Sequence, residues 1–322
     1  MIESENAAAL RGKQVVLLGG SGFFGRHLAQ ELLAQGARLR IASRRPERAH
    51  RLKPLGNLGQ LQLVRCDVTR SDQLAAVLAG ADAVVNLVGA FAGDLDALQG
   101  RGAGRIAEAA RAAGAGAFVQ ISAIGADAAS AIAYARTKGE GEAAVLAAFP
   151  GATILRPSLL FGPDDMFTTM FAGLIAMLPV LPVFGPQARL QPLFVDDAAR
   201  AAAAALADPG RHGGKTFELA GPEVVTMLEL HQRLGAAQGR QRLFVELPDF
   251  VSAAFAALTG WLPGAPLTRD QWALLSKGSV ASGGLGGLKE LGVAAHPLGL
   301  FLDRWMLRFR KHGRFGAKSR AA

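Results

Sequence analysis

A chain of 322 residues is long enough to bury a large core and can hold one large domain or two. Its mean hydropathy is +0.24, but no stretch of about 18 apolar residues runs without a Pro or Gly, so we expect no membrane span. The single cysteine, Cys66, excludes an internal disulfide, and the six histidines do not pair at ligand spacing, so no metal site is expected. The net charge of +9 is concentrated after Asp303, where seven Lys/Arg stand without an acid; general nucleic-acid binding is therefore not expected.

The stretch QVVLLGGSGFFGRHLAQELLAQG, residues 14–36, has the pattern of a nucleotide-binding unit. Val15–Gly19 predicts a buried strand, and the residues after Gly25 carry leucines at helical spacing. Gly19, Gly22 and Gly25 allow a tight turn, close approach of a pyrophosphate and close packing of helix on strand. The anion would bind at the helix N-terminus, where free N–H groups and the helix dipole favour it. The alternative is a tight turn without a ligand.

Arg38–Ser43 predicts the second strand, and it ends in Ser43-Arg44-Arg45. In NAD-specific folds an acidic residue at this position bonds the ribose 2′-hydroxyl, whereas an arginine accommodates a 2′-phosphate. Here no acid is present, and two guanidinium groups are suited to bidentate phosphate contact. The pattern favours NADP(H) over NAD(H). The alternative is that both arginines are solvated loop charges.

Strands and helices then alternate along the chain. The predicted elements are the strands Leu61–Val68, Ala83–Gly89 and Ala117–Ser122 and the helices Ser71–Leu78, with Ser71 as N-cap, and Asp94–Ala113. This order predicts an α/β fold with a Rossmann-type doubly wound parallel sheet. Asn86, inside an apolar strand, needs hydrogen-bond partners, either on the neighbouring strand backbone or on the cofactor side of the sheet.

Three polar side chains form a candidate acid–base set. Ser122 ends the fifth strand, at the edge where ligands bind in open α/β sheets. Tyr134, the only tyrosine of the chain, and Lys138 stand at i and i+4 on one helical face. We expect the ammonium group to lower the pKa of the phenol, which could exchange a proton with a carbonyl or alcohol oxygen held by Ser122. The alternative is an exposed aromatic ring and a surface lysine.

Two levels of family resemblance follow from these motifs. Through GGSGFFG, NLVG, Ser122 and Tyr134-x-x-x-Lys138, the chain resembles the short-chain dehydrogenase/reductase superfamily in its extended or atypical branch. Through ADAVVNLVG, QISAIGAD, YARTKGEGEAAV, ILRPSLLFGPDDMF and FELAGPEVVTMLEL, it is similar to the NADPH-binding accessory subunit family of respiratory complex I. That family has free-standing bacterial relatives and a fungal relative tied to coenzyme Q biosynthesis. The likeness covers residues 14–280.

The resemblance implies two different roles for the nucleotide. Short-chain enzymes use the Ser-Tyr-Lys set, here Ser122, Tyr134 and Lys138, to move a proton while the nicotinamide moves a hydride. The complex I subunit is held to keep its NADPH as a structural element without turnover. The expected cofactor contacts are Gly19, Ser21, Gly22, Phe23, Phe24, Gly25, Ser43, Arg44, Arg45, Asp67, Val68, Leu87, Val88, Gly89, Tyr134 and Lys138.

The second half of the chain is expected to form a smaller C-terminal α/β lobe. We place the NAD(P)-binding Rossmann domain at 12–162, a lobe interleaved with the last sheet strands at 163–296, and a basic amphipathic tail at 297–322. Met166–Leu178 predicts an apolar helix, which is either core packing or a greasy lid or membrane-facing surface. Further expected features are the strands Ala152–Leu155, Leu190–Val195 and Thr216–Leu219, helix caps at Asp196 and Thr226, and a flexible link at 284–291.

The tail predicts a membrane or partner contact. On a helical wheel Phe301, Leu302, Trp305, Met306 and Phe309 fall on one side, and basic residues fall on the other. This pattern is typical of an interfacial anchor on anionic lipid. The same face could dock on a protein partner, or pack on its own domain. Because the N-terminal MIESENAAALRGK has acids where a leader would have basic residues, and has no apolar segment, we expect a cytoplasmic protein, peripheral on the inner membrane.

The function expected from the sequence is that of an NADP(H)-binding protein of the complex I accessory-subunit type, with a structural or quinone- or respiration-linked role at the membrane. Its expected partners are respiratory complex I or a quinone-biosynthesis assembly and, through 297–322, an anionic membrane surface, with no nucleic acid. The alternative is a catalytically active NADP-dependent reductase, epimerase or dehydratase, with Tyr134 as acid/base, Lys138 tuning it and Ser122 orienting the substrate. A regulatory redox sensor that binds NADPH is a third class.

Overall fold

The computed structural model describes residues 8–260 and 267–313, which divide into two compact units. Unit 1 holds the described residues up to Pro157, together with Val195–Leu219 and Ala281–Ala294. Unit 2 holds the other described residues. These boundaries differ from the sequence-based cuts at 162 and 296, because two later segments of the chain return to unit 1.

The described elements alternate as an α/β chain should. The strands are β1 (Gln14–Leu18), β2 (Arg38–Ser43), β3 (Leu61–Arg65), β4 (Ala83–Asn86), β5 (Ala117–Ile121), β6 (Thr153–Pro157), β7 (Leu160–Phe161), β8 (Val180–Val183), β9 (Arg189–Leu190), β10 (Leu193–Phe194), β11 (Thr216–Leu219), β12 (Val225–Thr226) and β13 (Leu243–Glu246). The helices are α1 (Phe23–Ala34), α2 (Ser71–Leu78), α3 (Leu95–Gln99), α4 (Arg101–Ala112), α5 (Ala133–Ala148), α6 (Met166–Met177), α7 (Val195–Ala207), α8 (Pro209–His212), α9 (Met227–Ala237), α10 (Asp249–Thr259), α11 (Arg269–Lys277) and α12 (Gly299–Trp305). Two 3₁₀ helices cover Pro46–Leu55 and Met306–Phe309.

Unit 1 is built on a seven-stranded sheet in the order β11-β6-β5-β4-β1-β2-β3, in which every pair of neighbours is parallel. Every residue of β4 and β5 is buried, as expected for parallel strands covered on both faces. On one face, α1 packs against α7, and His27 Nδ1 lies 2.5 Å from Asp196 Oδ1. The strand order reverses between β1 and β4, which places the ligand-binding switch point at their carboxyl ends. The predicted doubly wound sheet is confirmed.

Several predicted boundaries shift for local reasons. The helix predicted over Asp94–Ala113 is two helices, because the chain turns at Gly100 (φ −84°, ψ −107°). Ser71 is the first residue of α2 and not its N-cap, and Asp196 lies inside the first turn of α7 and does not cap it. These two cap predictions are wrong, whereas the capping box of Thr226 with Glu229 is confirmed.

Residues 284–291 are not a flexible link, so this prediction is also wrong. Gly286 continues the edge of the sheet, since the Glu218 N–H donates to its carbonyl oxygen at 2.9 Å. Glu218 also accepts hydrogen bonds from the backbone N–H and the hydroxyl of Ser282, at 2.6 and 2.8 Å. The segment is therefore tied to β11 at Gly286, and the chain just before it is tied there at Ser282.

Unit 2 contains three small two-stranded sheets, β7 with β10, β8 with β13 and β9 with β12, packed with helices. The strand predicted over Leu190–Val195 is divided between β9 and β10. Within the described residues, no helix is long and apolar enough to cross a membrane. The same residues contain no cluster of three His, Cys, Asp or Glu side chains that could hold a metal ion.

The described part of the tail packs within unit 2. The rings of Phe301 and Trp305 stack with their centroids 4.8 Å apart, and the Phe301 ring lies 4.1 Å from that of Phe194. Leu302 and Met306 are buried. Of the three possibilities for the aromatic face, the described residues show packing on its own unit. The remaining tail residues, 314–322, lie outside the described residues.

Candidate functional site

The glycine turn after β1 leaves room for an anion at the start of α1. Gly19 has φ +79°, and a Cβ on it would lie 3.2 Å from the carbonyl carbon of Leu87. A Cβ on Gly25 would lie only 2.5 Å from the Cα of Gly20, so α1 packs closely on the turn. Gly22 precedes α1 without a side-chain cap, and the first turn contains no acid. The first N–H groups of the helix are therefore available to a phosphate.

The side chains of this turn differ in their exposure. Ser21 and Phe23 are partly exposed, and the Phe23 ring packs edge-on against His27 with the ring centroids 5.2 Å apart. The Phe24 ring is buried in the core. Among the turn residues predicted to contact a cofactor, Phe24 can therefore contribute only its backbone.

The end of β2 holds a buried hydroxyl beside two open guanidinium groups. The Ser43 Oγ is buried and has no hydrogen-bond partner within the described residues. Arg44 and Arg45 are exposed, and neither guanidinium group makes a hydrogen bond or ion pair with residues 8–260 or 267–313. An unpaired buried hydroxyl is costly, so its presence indicates a ligand position.

The residues that follow β3 and β4 lie at the same edge of the sheet. After β3, Asp67 accepts hydrogen bonds from the backbone N–H and the hydroxyl of Thr69, at 3.0 and 2.8 Å, and these bonds lower the pKa of its carboxyl group. After β4, Leu87, Val88 and Gly89 form the loop that borders Gly19. Val68, Leu87 and Val88 are partly buried.

Asn86 bonds within the sheet and its loop. Its Nδ2 donates to Gln120 Oε1 at 2.8 Å, and its Oδ1 accepts from the Val88 N–H at 3.1 Å. The partner on the neighbouring strand is the side chain of Gln120 and not the strand backbone, and the second partner is the backbone of the loop after β4. Asn86 therefore holds Val88 in place beside the glycine turn.

The side chain of Lys138 reaches the end of β5, next to which Ser122 lies. Its Nζ donates to the carbonyl oxygen of Ile121 at 3.1 Å, one residue before Ser122. The same Nζ is 3.3 Å from the position of a Cβ on Gly89 and 6.0 Å from the centroid of the Tyr134 ring. The Ser122 Oγ is buried and has no hydrogen-bond partner among the described residues. Lys138 is therefore buried, and the alternative of a surface lysine is excluded.

Burial disfavours the charged form of both Tyr134 and Lys138. It raises the pKa of Tyr134 to about 12 and lowers that of Lys138 to about 8, with the carboxylate of Glu142 opposing the second shift. The expected lowering of the phenol pKa by Lys138 is therefore wrong for the chain without a ligand. The ammonium group bonds to a backbone oxygen and does not bond to the phenol.

Sequence reasoning missed three contributors to this site. Phe91, in the loop after Gly89, stacks on Tyr134 with ring centroids 4.6 Å apart at 12°. The Oε1 of the buried Gln99 accepts a hydrogen bond from the Ala90 N–H at 3.2 Å, and its Nε2 donates to Thr137 Oγ1 at 2.9 Å. Gln99 therefore joins this loop to α5.

The third contributor is an ion pair one helical turn beyond Lys138. Arg156 bonds both oxygens of Glu142, with Nε–Oε1 at 2.9 Å and Nη2–Oε2 at 2.6 Å. The i+4 spacing of Lys138 and Glu142 was a usable signal for Glu142. The contacts of Gln99 and Phe91 bring together residues far apart in the chain, and no sequence pattern marks them.

A nicotinamide dinucleotide fits the residues present at this edge. The uncapped start of α1 suits the pyrophosphate, and the unpaired hydroxyls of Ser43 and Ser122 lie at the ends of β2 and β5. Bound there, the nicotinamide would supply hydride transfer. Arg44 and Arg45 offer the positive charge that a 2′-phosphate requires.

Comparison with known proteins identifies the family of the chain. The model of the NAD dependent epimerase/dehydratase family matches residues 15–220. The mitochondrial NADH dehydrogenase (ubiquinone) 1 alpha subcomplex subunit 9 of Arabidopsis thaliana is 30% identical over 95% of this chain and 80% of that protein. A ceramide reductase of Caulobacter vibrioides is 35% identical over 58% of each chain.

Solved structures share the fold. A triphenylmethane reductase from Citrobacter has a TM-score of 0.74 at 20% identity, covering 91% of this chain and 99% of the other. An NADPH-dependent quinone oxidoreductase from Escherichia coli, solved with NADPH, has a TM-score of 0.70 at 21% identity, covering 90% and 99%. Both family resemblances seen in the sequence are confirmed. The chain belongs to the NAD dependent epimerase/dehydratase family of extended short-chain dehydrogenases/reductases and is a homologue of the alpha subcomplex subunit 9 of NADH dehydrogenase (ubiquinone).

Proposed function

We propose that the chain binds NADP(H) in preference to NAD(H) and acts as a protein of the complex I accessory-subunit type, in a structural or quinone- or respiration-linked role at the membrane. The observation that carries the cofactor choice is the end of β2, where a buried hydroxyl adjoins two guanidinium groups and none of the three has a partner in the part of the chain that the structure describes. A 2′-phosphate would satisfy all three through charge-assisted hydrogen bonds.

The respiratory role is supported by the relatives. Subunits of NADH dehydrogenase (ubiquinone) match nearly the whole chain, including the part beyond the nucleotide-binding strands. A partner within respiratory complex I or a quinone-biosynthesis assembly would account for that match. Membrane location is supported by the seven basic residues after Asp303.

A second candidate is turnover as an NADP-dependent reductase, epimerase or dehydratase. The buried, unpaired Ser122 Oγ favours it, because such a hydroxyl can hold a substrate oxygen. Tyr134 would donate a proton to that oxygen from its phenol. Lys138, held to Ile121, would place positive charge beside the developing phenolate. Two of the similar proteins are named as reductases.

One isolation tests the principal proposal. The untagged chain would be purified from native membranes, and its bound nucleotide and co-purifying proteins would be identified together. We expect NADP(H) together with subunits of NADH dehydrogenase or a quinone-biosynthesis enzyme. NAD(H) as the bound nucleotide would overturn the cofactor choice, and recovery of the chain alone would overturn the respiratory role.

A further inference from the structure

One side of α6 is apolar and open to solvent. Met166, Met170, Leu174 and Met177 are 87, 45, 38 and 79% exposed. With 3.6 residues per turn, these positions fall within an arc of about 80° on the helix. The helix contains no charged residue. Its exposed side is therefore a continuous apolar stripe.

The apolar surface continues from α6 into a two-stranded sheet of the same unit. In the β8–β13 pair, Leu243 stands opposite Val180 and Val245 opposite Pro182, and all four residues are exposed. The Leu243 N–H donates to the Pro179 carbonyl oxygen at 3.1 Å, which joins this sheet to the end of α6. We define the methionine face as Met166, Met170, Leu174, Met177, Leu178, Val180, Leu243 and Val245.

Arginines flank α6 at both ends. Arg308 Nη2 donates to the Pro163 carbonyl oxygen and to Thr169 Oγ1, both at 3.0 Å. Arg242 Nε donates to the Ile175 carbonyl oxygen at 2.8 Å, at the other end of the helix. Two acids precede α6: Asp165 is buried as its N-cap, and Asp164 is partly buried. Each end of the stripe therefore has an arginine beside it, with Asp164 next to the contact of Arg308 and Glu246 at the end of β13.

These features identify the kind of surface that would cover the methionine face. A contiguous exposed apolar patch marks a contact site, whereas single exposed apolar side chains are ordinary. The patch lies on the outer side of a helix and is not a groove, and the flexible methionine side chains adapt to an irregular partner. An apolar helix side flanked by basic residues is the pattern that binds an anionic lipid interface.

We infer that the methionine face lies on the surface of an anionic lipid bilayer. The methionine and leucine side chains enter the interfacial layer, and Arg242 and Arg308 meet the lipid headgroups. This inference rests on the membrane location in the proposed function, but it needs neither the nucleotide nor a respiratory partner. It assigns the membrane contact to α6 and β8–β13, because the aromatic face of the tail packs within unit 2.

Vesicle sedimentation of the purified full-length chain tests the inference. The probe is vesicles of equal parts phosphatidylcholine and phosphatidylglycerol, compared with phosphatidylcholine alone. We expect the chain to bind the anionic vesicles more tightly and to release as salt rises. Met166→Glu combined with Met177→Glu should weaken binding about tenfold or more. Leu55→Glu combined with Leu58→Glu, at two exposed leucines of unit 1, makes the same change of two charges and is the matched control, which should bind like the unchanged chain.

Two further measurements keep the result interpretable. Both double variants should keep the circular dichroism and NADPH affinity of the unchanged chain, since all four positions are exposed. A chain ending at Gly313 loses Arg314, Lys318 and Arg320 and should still bind anionic vesicles. The inference is overturned if the unchanged chain binds no vesicles, if the methionine double variant binds as well as the leucine double variant, or if only the shortened chain loses binding. Each outcome is independent of the nucleotide and partners recovered from native membranes.

Discussion

The ammonium group of Lys138 donates a hydrogen bond to the backbone oxygen of Ile121, with an N–O distance of 3.1 Å. This bond joins α5 to the end of β5 and places a buried amine one residue before Ser122. Because burial lowers the pKa of this amine to about 8, from 10.5 for an ordinary lysine, its protonation is coupled to folding.

The coupling predicts how stability changes at alkaline pH. Between about pH 8 and 10.5 the folded chain has lost a proton that the unfolded chain keeps, so the free energy of unfolding should rise with pH. The rise due to Lys138 is at most about 3 kcal/mol across this window. Urea unfolding of the unchanged chain and of Lys138→Met, at several pH values, measures it as a difference. Tyr134 opposes the rise above about pH 10 in both chains and cancels in the comparison. Equal pH dependence of the two chains would contradict this prediction.

Cofactor choice should respond to the charge at Arg44. We expect NADPH to bind more tightly than NADH. Arg44→Asp should change the ratio of the two affinities by about tenfold to a hundredfold in favour of NADH, because a hydrogen bond to a charged group contributes about 1.5–3 kcal/mol. The preference for NADPH should thus become smaller or reverse. Arg48→Asp makes the same charge change in the following 3₁₀ helix and should leave the preference nearly unchanged. Calorimetric titration with both nucleotides checks the prediction. Equal affinities of the unchanged chain for NADPH and NADH would remove its basis.

Removal of the Tyr134 hydroxyl distinguishes an enzyme from a structural subunit. Tyr134→Phe should leave NADPH affinity nearly intact in either case, because only the hydroxyl is lost. In an enzyme, turnover should fall about 10²–10⁴-fold, the usual contribution of proton transfer. In an accessory subunit, complex assembly and respiration should be unaffected. NADPH titration and respiration of cells carrying the variant are the measurements, and loss of NADPH binding would contradict both roles.

The sheet could be predicted from sequence because its signals are local. Arg38–Ser43 and Thr216–Leu219 match β2 and β11 residue for residue, because their apolar residues alternate with polar ones at the strand period of two. The position of Ser122 followed from the same pattern. The turn at Gly100 that divides the predicted helix was missed, because Gly102 and Gly104 lie inside the second helix and a glycine in a helical pattern does not by itself mark a break.

Features set by contacts between distant residues could not be predicted. The direction of the Tyr134 pKa shift depends on how deeply the sheet and α5 bury the phenol, and the i+4 spacing of Tyr134 and Lys138 contains no such information. The pairing of Gly286 with β11 requires a segment to return to the sheet edge about seventy residues after it. The aromatic pattern of the tail was visible, but its partner Phe194 is more than one hundred residues away.

Because the aromatic face of the tail packs within unit 2, two alanine substitutions in α12 should differ in their effect on the free energy of unfolding. Trp305→Ala should lower the free energy of unfolding by about 2–3 kcal/mol, because the ring packs on Phe301 and Phe161. Leu300→Ala, five residues earlier, removes an exposed side chain and should cost less than about 0.5 kcal/mol. Thermal or urea unfolding of the two variants measures the contrast. Equal costs would show that the aromatic face is not packed on its own unit in solution.

The ion pair of Glu142 with Arg156 lies one helical turn beyond Lys138 and should stabilise the fold there. Glu142→Gln would leave the guanidinium group of Arg156 largely buried without its counter-charge, so we expect a loss of about 2–3 kcal/mol in the free energy of unfolding, discounted because both side chains keep some exposure. Glu140→Gln, on the same helix, breaks an exposed pair with Arg136 and should cost less than about 0.5 kcal/mol.

A second readout shows whether this ion pair also acts on Lys138. The negative charge of Glu142 favours the protonated form of Lys138, so its removal should lower the lysine pKa further. In Glu142→Gln the alkaline rise in stability should therefore begin at a lower pH than in the unchanged chain, whereas Glu140→Gln should not move it. A variant that loses stability without moving that onset would show that Glu142 supports the fold but not the charge state of Lys138.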